Sequence, residues 1–329
     1  MRLLMISLDN KILDSGSSPA GRMVRYGEKN DLFIIIPDGE KNEVVLSPSV
    51  RAWGTGGAKW ARFFLLWRLG VAIIKKFNLS VDDSLITAQD PFFAGLVGYL
   101  LKRGSGIKLE AQVHGDFFGR YYRGQRLRLL VAKFVLKRAD TIRVVGGRIK
   151  ESILGLGMAE NKITMSPIAI HSEIKKSLSA DADWRARYPE YKKIFVWGGR
   201  MEPVKNLPWL VEMFAVVARL RPDYLLLLVG GGSQRSCLQK KIIDLKITES
   251  IKLTPWVDDF FSGLCGADCL LLSSLSEGYG LVAMEAAAAG IKIIMNDVGV
   301  AGYELRSSES VKILPINDKQ KWLEAILAV

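Results

Sequence analysis

Short runs of apolar, often β-branched residues alternate with longer segments of helical periodicity along the whole chain. This alternation is typical of parallel sheets that are covered by helices on both faces. The strands predicted in the first half are Leu3–Leu8, Leu32–Pro37, Ser84–Thr87, Leu109–Val113, Thr141–Val145 and Ile163–Met165. The helices predicted between them are Gly21–Lys29, Lys59–Phe77, Pro91–Arg103, Gln125–Arg138 and Arg148–Leu156.

A second series of strands follows a polar stretch between Ala169 and Tyr191. Its predicted strands are Lys193–Gly198, Tyr224–Val229, Ile251–Leu253, Cys269–Ser273 and Ile291–Met295, and its predicted helices are Pro208–Leu220, Gln234–Leu245, Phe260–Cys265 and Leu281–Ala289. We therefore predict an α/β chain with two Rossmann-like domains, residues 1–169 and residues 191–329. A linker is predicted at residues 170–190.

The composition supports two folded domains. The chain has 329 residues, of which 49% are hydrophobic and 11 are prolines, enough apolar material for a core in each domain. A disordered or fibrous protein is excluded. The apolar run Met1–Leu8 is too short for a signal peptide and predicts a buried strand. The most hydrophobic stretch, Phe63–Phe77, contains cations and falls short of the ~20 apolar residues of a spanning helix.

The cysteines bear on the cellular compartment. Cys237, Cys265 and Cys269 have neither the even number nor the spacing of a disulfide or zinc framework. We predict buried thiols in a reducing compartment. The chain is accordingly expected to be cytoplasmic, or peripheral on the inner face of the cytoplasmic membrane.

The excess of positive charge is concentrated in one window. Residues 1–100 carry 12 basic and 10 acidic side chains, residues 101–150 carry 13 and 3, and residues 151–329 carry 21 and 21. A basic surface of this kind attracts nucleic acid, anionic lipid or phosphorylated substrates, and charge alone does not choose among them.

The segment Ser273–Gly290 reads SSLSEGYGLVAMEAAAAG and follows a predicted strand. A glycine-containing loop that enters a helix forms an anion site, because free N–H groups and the positive helix end face the ligand. Glu277 in the loop and Glu285 in the helix could hydrogen-bond the hydroxyls at the two ends of a sugar nucleotide. The alternative is that Glu285 is a helix-surface residue and Glu277 a charge favoured by the helix dipole.

The segment Trp197–Asn206 reads WGGRMEPVKN and follows the strand Lys193–Gly198. Glycines at a strand end let a ligand approach the backbone, and Arg200 and Lys205 could hold both phosphates of a diphosphate. A basic loop before a helix is also common as plain solvated surface.

Together, the patterns Gly-Gly-Arg-x4-Lys-Asn and Ser-x2-Glu-Gly-Tyr-Gly-x4-Glu-Ala resemble the donor domain of the family 4 retaining glycosyltransferases of GT-B fold. The resemblance extends from Leu3 to Gly302. It implies two Rossmann-like domains that face each other across a donor cleft. It also implies transfer of a sugar, with retained configuration, from a UDP-, GDP- or ADP-linked donor. The acceptor would be a glycan, a lipid-linked or another membrane-associated molecule in cell-surface polysaccharide or glycolipid synthesis.

The resemblance assigns roles to the residues of both segments. Glu277 contacts the donor sugar near the reacting carbon, Glu285 holds the ribose, and Arg200 and Lys205 stabilise the departing diphosphate. The further donor-binding residues of the loop and helix start are Gly278, Tyr279, Gly280 and Leu281. The segments Val229–Ser233 and Pro255–Asp259 lie where such enzymes shape the nucleotide-base pocket, although tight turns explain the glycines equally well.

The first half contributes His114, directly after the strand Leu109–Val113. The resemblance places this histidine in the acceptor domain, facing the donor sugar, and we predict that it is catalytic. A strand-end histidine is otherwise a common structural hydrogen-bonding group. Gly16, in the loop Asp14–Arg22, stands where the family often has a pair of glycines near the phosphates, and it is predicted to bind the donor.

No cofactor and no metal are expected, because Arg200, Lys205 and the helix end supply the positive charge that divalent ions supply in GT-A enzymes. The pattern Asp181-Ala182-Asp183 matches the Asp-x-Asp motif, and we interpret it as chance. The family usually has a last helix that crosses back onto the first domain. Here that helix is expected to be absent, shortened to Lys319–Ala328, or outside this sequence.

Two predicted helices of the first domain could meet a membrane. Lys59–Arg68 combines aromatic and basic residues, as interfacial helices do. In Gln125–Arg138 the apolar stripe that is predicted to face the core consists of Leu127, Leu130, Val131, Phe134 and Val135. Either both are ordinary covering helices, or this domain rests on an anionic membrane.

Two functions from other classes are alternatives to a glycosyltransferase. A non-enzymatic, basic nucleic-acid-binding protein of Rossmann-like fold would explain the charged window, but not the arrangement of Arg200, Lys205, Glu277 and Glu285. A Rossmann dehydrogenase is excluded, because neither first strand is followed by Gly-x-Gly-x-x-Gly.

Overall fold

The structure is a computed structural model that describes residues 1–38, 40–122, 124–168, 183–257 and 259–329. The chain divides into two compact units. Unit 1 comprises Met1–Val145 and Ile149–Ser166, and unit 2 comprises Gly146–Arg148 and Pro167–Val329.

The elements of the first half of the chain follow the predicted order, with one addition. Its strands are β1 Arg2–Ile6, β2 Asp31–Ile36, β3 Glu43–Ser47, β4 Val50–Gly54, β5 Ser84–Ala88, β6 Lys108–Val113, β7 Thr141–Val144 and β8 Ile163–Met165. Its helices are α1 Ser18–Tyr26, α2 Arg62–Lys76, α3 Phe93–Ser105, α4 Arg126–Arg138 and α5 Gly147–Gly155. Among the described residues, these strands form one sheet in the order β3-β4-β2-β1-β5-β6-β7-β8.

The central strands of this sheet are apolar on both faces. In β1 and β2 nearly every side chain is buried, as expected of parallel strands that helices cover on both sides. The hairpin β3–β4 was not predicted. It is antiparallel and lies at the sheet edge, where the side chains of β3 stay partly exposed, so its sequence lacks a continuous apolar run.

Unit 2 contains a second parallel sheet. Its strands are β9 Lys193–Arg200, β10 Tyr224–Gly231, β11 Ile251–Thr254, β12 Cys269–Leu272, β13 Lys292–Asn296 and β14 Val311–Leu314. Its helices are α6 Trp184–Arg187, α7 Leu207–Leu220, α8 Arg235–Asp244, α9 Phe260–Leu264, α10 Leu281–Ala288 and α11 Lys319–Leu327. Within the described residues the strand order is β11-β10-β9-β12-β13-β14. The short, partly exposed strand β14 was not predicted.

The order of this sheet creates a switch point. After β9 the chain adds β10 and β11 on one side, then returns to add β12, β13 and β14 on the other. The loops after β9 and β12 therefore leave the carboxyl edge in opposite directions. In open α/β sheets, ligands bind in the crevice at such a point.

The predicted linker, residues 170–190, lies outside the described residues as far as residue 182. The part from residue 183 onwards corrects the prediction, because α6 packs into unit 2. Trp184 is buried, and its ring contacts Phe260 and the backbone of Gly263. An indole of this size is buried because water solvates it poorly, so these residues belong to a core.

Helix α11 also packs within unit 2. Trp322 is buried, and its ring meets Trp209 of α7 edge-on with centroids 5.3 Å apart. The segment Lys319–Leu327 thus covers the sheet of its own unit, next to β13 and β14. Among the described residues, no helix combines the length and the apolar character needed to span a membrane.

Two predictions about buried side chains were wrong. Cys237 and Cys265 are exposed, and only Cys269 among the three free cysteines is buried. Leu127 and Leu130 were predicted to face the core but are 77% and 64% exposed, and Phe134 is also exposed. Helix α4 has apolar stripes on two faces, and it buries the face with the small Ala132 instead. Periodicity alone does not say which stripe lies inward.

Candidate functional site

One side of the candidate site is formed by the carboxyl end of β9. There Gly199 pairs with Gly230 of β10, and Arg200 pairs with Gly231. A Cβ at Gly230, where φ is +134°, would lie 2.0 Å from the carbonyl oxygen of Gly199. A Cβ at Gly198 would lie 2.2 Å from the ring of Phe260. Glycine is therefore required for these backbones to approach each other, and the strand ends present main chain to a ligand.

An ion pair joins the two loops at the switch point. Lys205 lies in the turn Pro203–Lys205 after β9, and Glu277 lies in the loop after β12. Lys205 Nζ donates to Glu277 Oε1 at 2.6 Å and to Oε2 at 2.7 Å. Ser274 Oγ donates to Glu277 Oε1 at 2.6 Å. The side chains of Lys205 and Glu277 are only 22% and 11% exposed, so both charges are partly removed from water.

Two further bonds hold these loops side by side. Ser273 Oγ donates to the carbonyl of Lys205 at 3.0 Å, and the amide of Leu275 donates to the carbonyl of Val204 at 2.8 Å. The backbone that carries the lysine is thereby tied to the backbone that carries the glutamate. The position of the ion pair does not depend on the two long side chains alone.

Asn296, buried at the end of β13, supports the loop after β12 from below. Its Nδ2 donates to the carbonyls of Ser273 at 2.8 Å and of Ser274 at 3.0 Å, and its Oδ1 accepts from Trp322 Nε1 at 3.2 Å. Neither Asn296 nor Ser274 was predicted. The sequence signal that points to Asn296 is a single asparagine at the end of an otherwise apolar strand, because a buried amide needs hydrogen-bond partners.

The predicted residues Gly278, Tyr279, Gly280 and Leu281 lead from Glu277 into α10. Gly280 precedes the helix with φ +96°, a conformation that glycine adopts without strain. Tyr279 is buried, and burial raises the pKa of its phenol. Its carbonyl accepts from the amide of Val300 at 2.9 Å. The first turn of α10 thus starts beside the ion pair, with its free N–H groups at the same sheet edge.

Residues 180–329 match the family model of the glycosyl transferases group 1. This part of the chain is a group 1 glycosyltransferase domain. The predicted family resemblance is confirmed over these residues, which contain both the Arg200–Lys205 and the Glu277–Glu285 segments.

Two curated relatives are similar to the chain in sequence. The uncharacterized glycosyltransferase YqgM of Bacillus subtilis (strain 168) is 26% identical over 221 residues, which are 65% of this chain and 59% of that protein. The UDP-Gal:alpha-D-GlcNAc-diphosphoundecaprenol alpha-1,3-galactosyltransferase of Escherichia coli is 24% identical over 139 residues, 41% of this chain and 36% of that protein. The chain thus matches less than two thirds of the length of either relative. Both are named as glycosyltransferases, and the nucleic-acid-binding alternative gains no support.

A solved structure confirms the fold class. HepE of Anabaena, in complex with UDP-glucose, aligns with 100% of this chain and 89% of that chain, with a TM-score of 0.77 and 15% sequence identity. At this identity the likeness concerns the fold alone. The chain has the GT-B fold, with two Rossmann-like units built on parallel sheets.

In the group 1 glycosyltransferase domain, the side chain of Glu285 on α10 makes no hydrogen bond or ion pair among the described residues. Its side chain is half-buried, and burial raises the pKa of its carboxyl group. A half-buried carboxylate without a partner is ready to accept hydrogen bonds from the hydroxyls of a ligand.

We expect Glu285→Gln to raise the melting temperature at pH 7 by no more than a few degrees. The pKa of this carboxyl is higher in the folded chain than in the unfolded chain. The contribution of the protonated Glu285 carboxyl to the free energy of unfolding is therefore fully present below the unfolded pKa. It is lost as the pH rises through the folded pKa. Melting curves of the two proteins should converge in acid. A variant less stable than the wild type at pH 7 would show that the carboxylate has a favourable partner.

Arg200 is exposed at the end of β9, next to a turn that contacts the loop after β10. Glu202 accepts from the amide of Ser233 at 3.1 Å and from its hydroxyl at 2.6 Å. These bonds lower the pKa of the Glu202 carboxyl, and the charge of Arg200 adds to the effect. The predicted segment Val229–Ser233 is thereby fixed against the loop that carries Arg200.

The predicted base-pocket segment Pro255–Asp259 borders a cavity of 760 Å³ beside β11. Its residue Asp258 lies outside the described residues. The half-exposed indole of Trp256 stacks on Phe260 with centroids 5.2 Å apart, and Phe260 in turn packs on Gly198 of β9. The ring of Phe260 thus lies between Trp256, which borders the cavity, and the glycine end of β9.

In unit 1, His114 directly follows β6. Gln112 Nε2 donates to Thr87 Oγ1 at 2.8 Å, so its Oε1 is the atom that meets His114 Nε2 at 2.8 Å. His114 is exposed at the strand end, but partial loss of water around its ring and the charge of Arg143 lower the pKa of the imidazole, while Glu110 opposes this. The ring is therefore neutral at pH 7, with Nε2 protonated and Nδ1 available as an acceptor. Gln112, which sets this tautomer, was not predicted.

Gly16 lies in the exposed loop between β1 and α1 of unit 1. Its amide donates to Asp14 Oδ1 at 3.1 Å, and Ser17 caps α1, which begins at Ser18 rather than at the predicted Gly21. Because β1 and β6 are parallel strands of one sheet, Gly16 and His114 both follow carboxyl strand ends.

Acidic and metal-ligating residues do not cluster in the described part of the chain: no three His, Cys, Asp or Glu side chains are placed to hold one ion there. Of the Asp-x-Asp pattern, Asp181 lies outside the described residues. Asp183 caps α6 by accepting from the amide of Ala186 at 3.0 Å. That bond gives Asp183 a structural role.

Proposed function

We propose that the chain is a retaining glycosyltransferase that moves a hexosyl group from a nucleotide sugar to a glycan or lipid-linked acceptor. The observation that carries the proposal is the Lys205–Glu277 pair at the switch point, with Arg200 on the adjoining strand end. A carboxylate paired with Lys205, with Arg200 at the glycine-lined end of the strand that precedes this lysine, suits a donor with a diphosphate and a sugar.

The chemistry gives each of these residues a role. The bond between the anomeric carbon and the diphosphate oxygen breaks, and its electron pair leaves with the diphosphate. An acceptor hydroxyl oxygen bonds to the same face of that carbon, and its proton goes to the leaving group. Arg200 and Lys205 would offset the charge that the diphosphate gains, and Glu277 would stabilise positive charge near the anomeric carbon. His114 would hydrogen-bond the transferred sugar through its neutral ring.

The remaining predicted contacts fit one nucleotide. Glu285 would accept from the ribose hydroxyls, and the loop Gly278–Leu281 with the start of α10 would face the phosphates. We propose that Trp256 lies against the base and that Gly16 of unit 1 also meets the donor. A uridine nucleotide is the first choice, because the Escherichia coli relative is named for UDP-Gal.

We further propose that the acceptor is lipid-linked and belongs to cell-surface polysaccharide or glycolipid synthesis. The Escherichia coli relative is named for a diphosphoundecaprenol acceptor, and residues 101–150 carry 13 basic and 3 acidic side chains. The proposed place of action is the cytoplasmic face of a membrane. The three free thiols are consistent with a reducing compartment.

The reaction is proposed to need no divalent metal, because Arg200 and Lys205 can supply the positive charge at the leaving group. Transfer should therefore continue in the presence of EDTA. An activity that EDTA removes and Mg²⁺ or Mn²⁺ restores would contradict this part of the proposal.

A thermal-shift panel of UDP-, GDP- and ADP-sugars tests the donor. We expect one nucleotide class to raise the melting temperature by several degrees at concentrations well above its dissociation constant. Arg200→Ala should remove most of this shift. Arg219→Ala, which changes an exposed arginine of α7, should not. If no nucleotide sugar stabilises the protein and it binds arbitrary DNA in a salt-dependent way instead, the donor assignment fails.

A further inference from the structure

Large apolar side chains lie exposed on neighbouring helices of unit 1. Trp60, just before α2, is 89% exposed, and similar side chains follow on α2, α3 and α4. We call the set Trp60, Phe64, Leu100, Leu127, Leu130 and Phe134 the α2–α4 surface. Exposed apolar patches of soluble proteins commonly mark a contact with a partner or a membrane.

The α2–α4 surface is continuous across the three helices. Between α2 and α3 lies an apolar cavity of 450 Å³, lined by Phe63, Phe64, Trp67, Leu100, Arg103 and Gly104. Between α3 and α4 the rings of Tyr99 and Phe134 meet edge-on, with centroids 5.2 Å apart. The exposed leucines of α4 therefore extend the same apolar region that begins at α2.

Positive charge surrounds this surface. Helix α2 carries four basic residues, α3 two and α4 five, and none of the three carries an acidic residue. Only some of these charges are neutralised by carboxylates outside the helices, as in the pairs Lys76–Glu43 at 3.9 Å and Lys102–Asp140 at 2.7 Å. The guanidinium of Arg138 lies 3.7 Å from the ring centroid of Phe134, which places a cation at the edge of the apolar region.

We infer that the α2–α4 surface docks on an anionic lipid leaflet. Leucine, phenylalanine and tryptophan side chains enter the interface between headgroups and acyl chains, and lysine and arginine bind the lipid phosphates. The apolar cavity between α2 and α3 would take up acyl-chain segments. The inference rests on the proposed function in one respect, because it brings the donor site to a membrane-borne acceptor.

The other occupants fit less well. A nucleic acid would neutralise the cations but leave the exposed leucines in water. A second copy joined through the same face would place three basic helices against three basic helices, because a two-fold contact brings identical surfaces together. The single sign of the charge therefore favours a lipid surface.

Co-sedimentation with vesicles tests the inference. We expect binding to phosphatidylcholine vesicles that contain phosphatidylglycerol, no binding to phosphatidylcholine alone, and release at high salt. The double variant Leu127→Ser/Leu130→Ser should bind about tenfold more weakly or worse, because it removes two inserted side chains. Leu220→Ser, which changes a leucine of α7 that is 55% exposed, should bind as the wild type does.

Quenching of tryptophan fluorescence by brominated lipids locates the contact. Trp60 and Trp256 are both exposed, one in the α2–α4 surface and one in unit 2. Because Trp67 lines the apolar cavity, quenching on anionic vesicles should be largely lost in Trp60→Phe/Trp67→Phe and retained in Trp256→Phe. The reverse result would place the contact elsewhere and overturn the inference.

Three other outcomes would also overturn it. These are equal partition to neutral and anionic vesicles, unchanged binding by Leu127→Ser/Leu130→Ser, or a wild-type dimer that this variant dissolves. The test is separable from the proposed function, because the leucine variant should keep the thermal shift with the nucleotide sugar. Vesicle binding without any nucleotide-sugar shift would count against the proposed function alone.

Discussion

Replacing Glu277 by glutamine should lower the rate of sugar transfer about a thousandfold while the fold persists. The amide keeps the shape of the side chain and can still accept from Ser274, but it carries no negative charge beside the anomeric carbon. The variant should bind the nucleotide with little change, because the lost interaction develops mainly in the transition state. The transfer rates of the wild type and of the variant are to be measured with the nucleotide sugar that gives the thermal shift.

A matched control separates this effect from a general loss of charge. Glu309 is an exposed glutamate of the same unit, away from the loops after β9 and β12, and Glu309→Gln should leave the rate unchanged. Glu277→Ala should be as inactive as Glu277→Gln. Full activity in either Glu277 variant would defeat the assignment of this residue.

Replacing Lys205 by methionine should have the second-largest effect, a fall in the rate of about a hundredfold. The variant loses the cation at the leaving group. It also leaves the carboxylate of Glu277, which is 11% exposed, without its counter-ion. We expect the free energy of unfolding to fall by about 2 kcal/mol, between the values of exposed and of fully buried pairs.

The double variant Lys205→Met/Glu277→Leu distinguishes the structural from the catalytic part of this effect. It removes both charges, so no partly buried charge is left unpaired, and most of the lost stability should return. The rate of transfer should not return. A double variant that regains activity together with stability would show that the pair is only structural.

The sequence predicted the parts of the fold that depend on continuous apolar runs. Strands β1, β2, β9 and β10 are buried along most of their length, and their predicted and observed bounds agree within a few residues. Buried parallel strands leave a strong signal, because both faces must be apolar. The edge strand β3 leaves a weak one, because its side chains remain partly exposed to water.

The candidate site was predicted through its charged residues and glycines, and its supports were missed. Lys205 and Glu277 are 72 positions apart in the sequence, and the family pattern was the signal that connected them. Asn296 acts through hydrogen bonds to the loop that follow from the tertiary arrangement of β12 and β13. Ser274 bonds Glu277 three residues further on, and only the loop conformation shows that their side chains meet. Gln112, which orients His114, is a second partner that is close in sequence.

Helix α4 shows a different limit. Its sequence offers two apolar stripes, and the choice between them depends on how α4 packs on α3, where Val135 meets Gly95. The prediction placed Leu127 and Leu130 in the core, whereas the structure exposes both. The exposure of these two leucines is one of the observations from which we infer the membrane-docking surface.

A crystal structure of the protein with the uridine, guanosine or adenosine diphosphate that stabilises it tests the proposed donor site most directly. We expect the diphosphate within hydrogen-bonding distance of Arg200 and Lys205, in front of the start of α10, with the ribose hydroxyls on Glu285. A nucleotide bound away from the loops after β9 and β12, with Lys205 and Glu277 untouched, would contradict it.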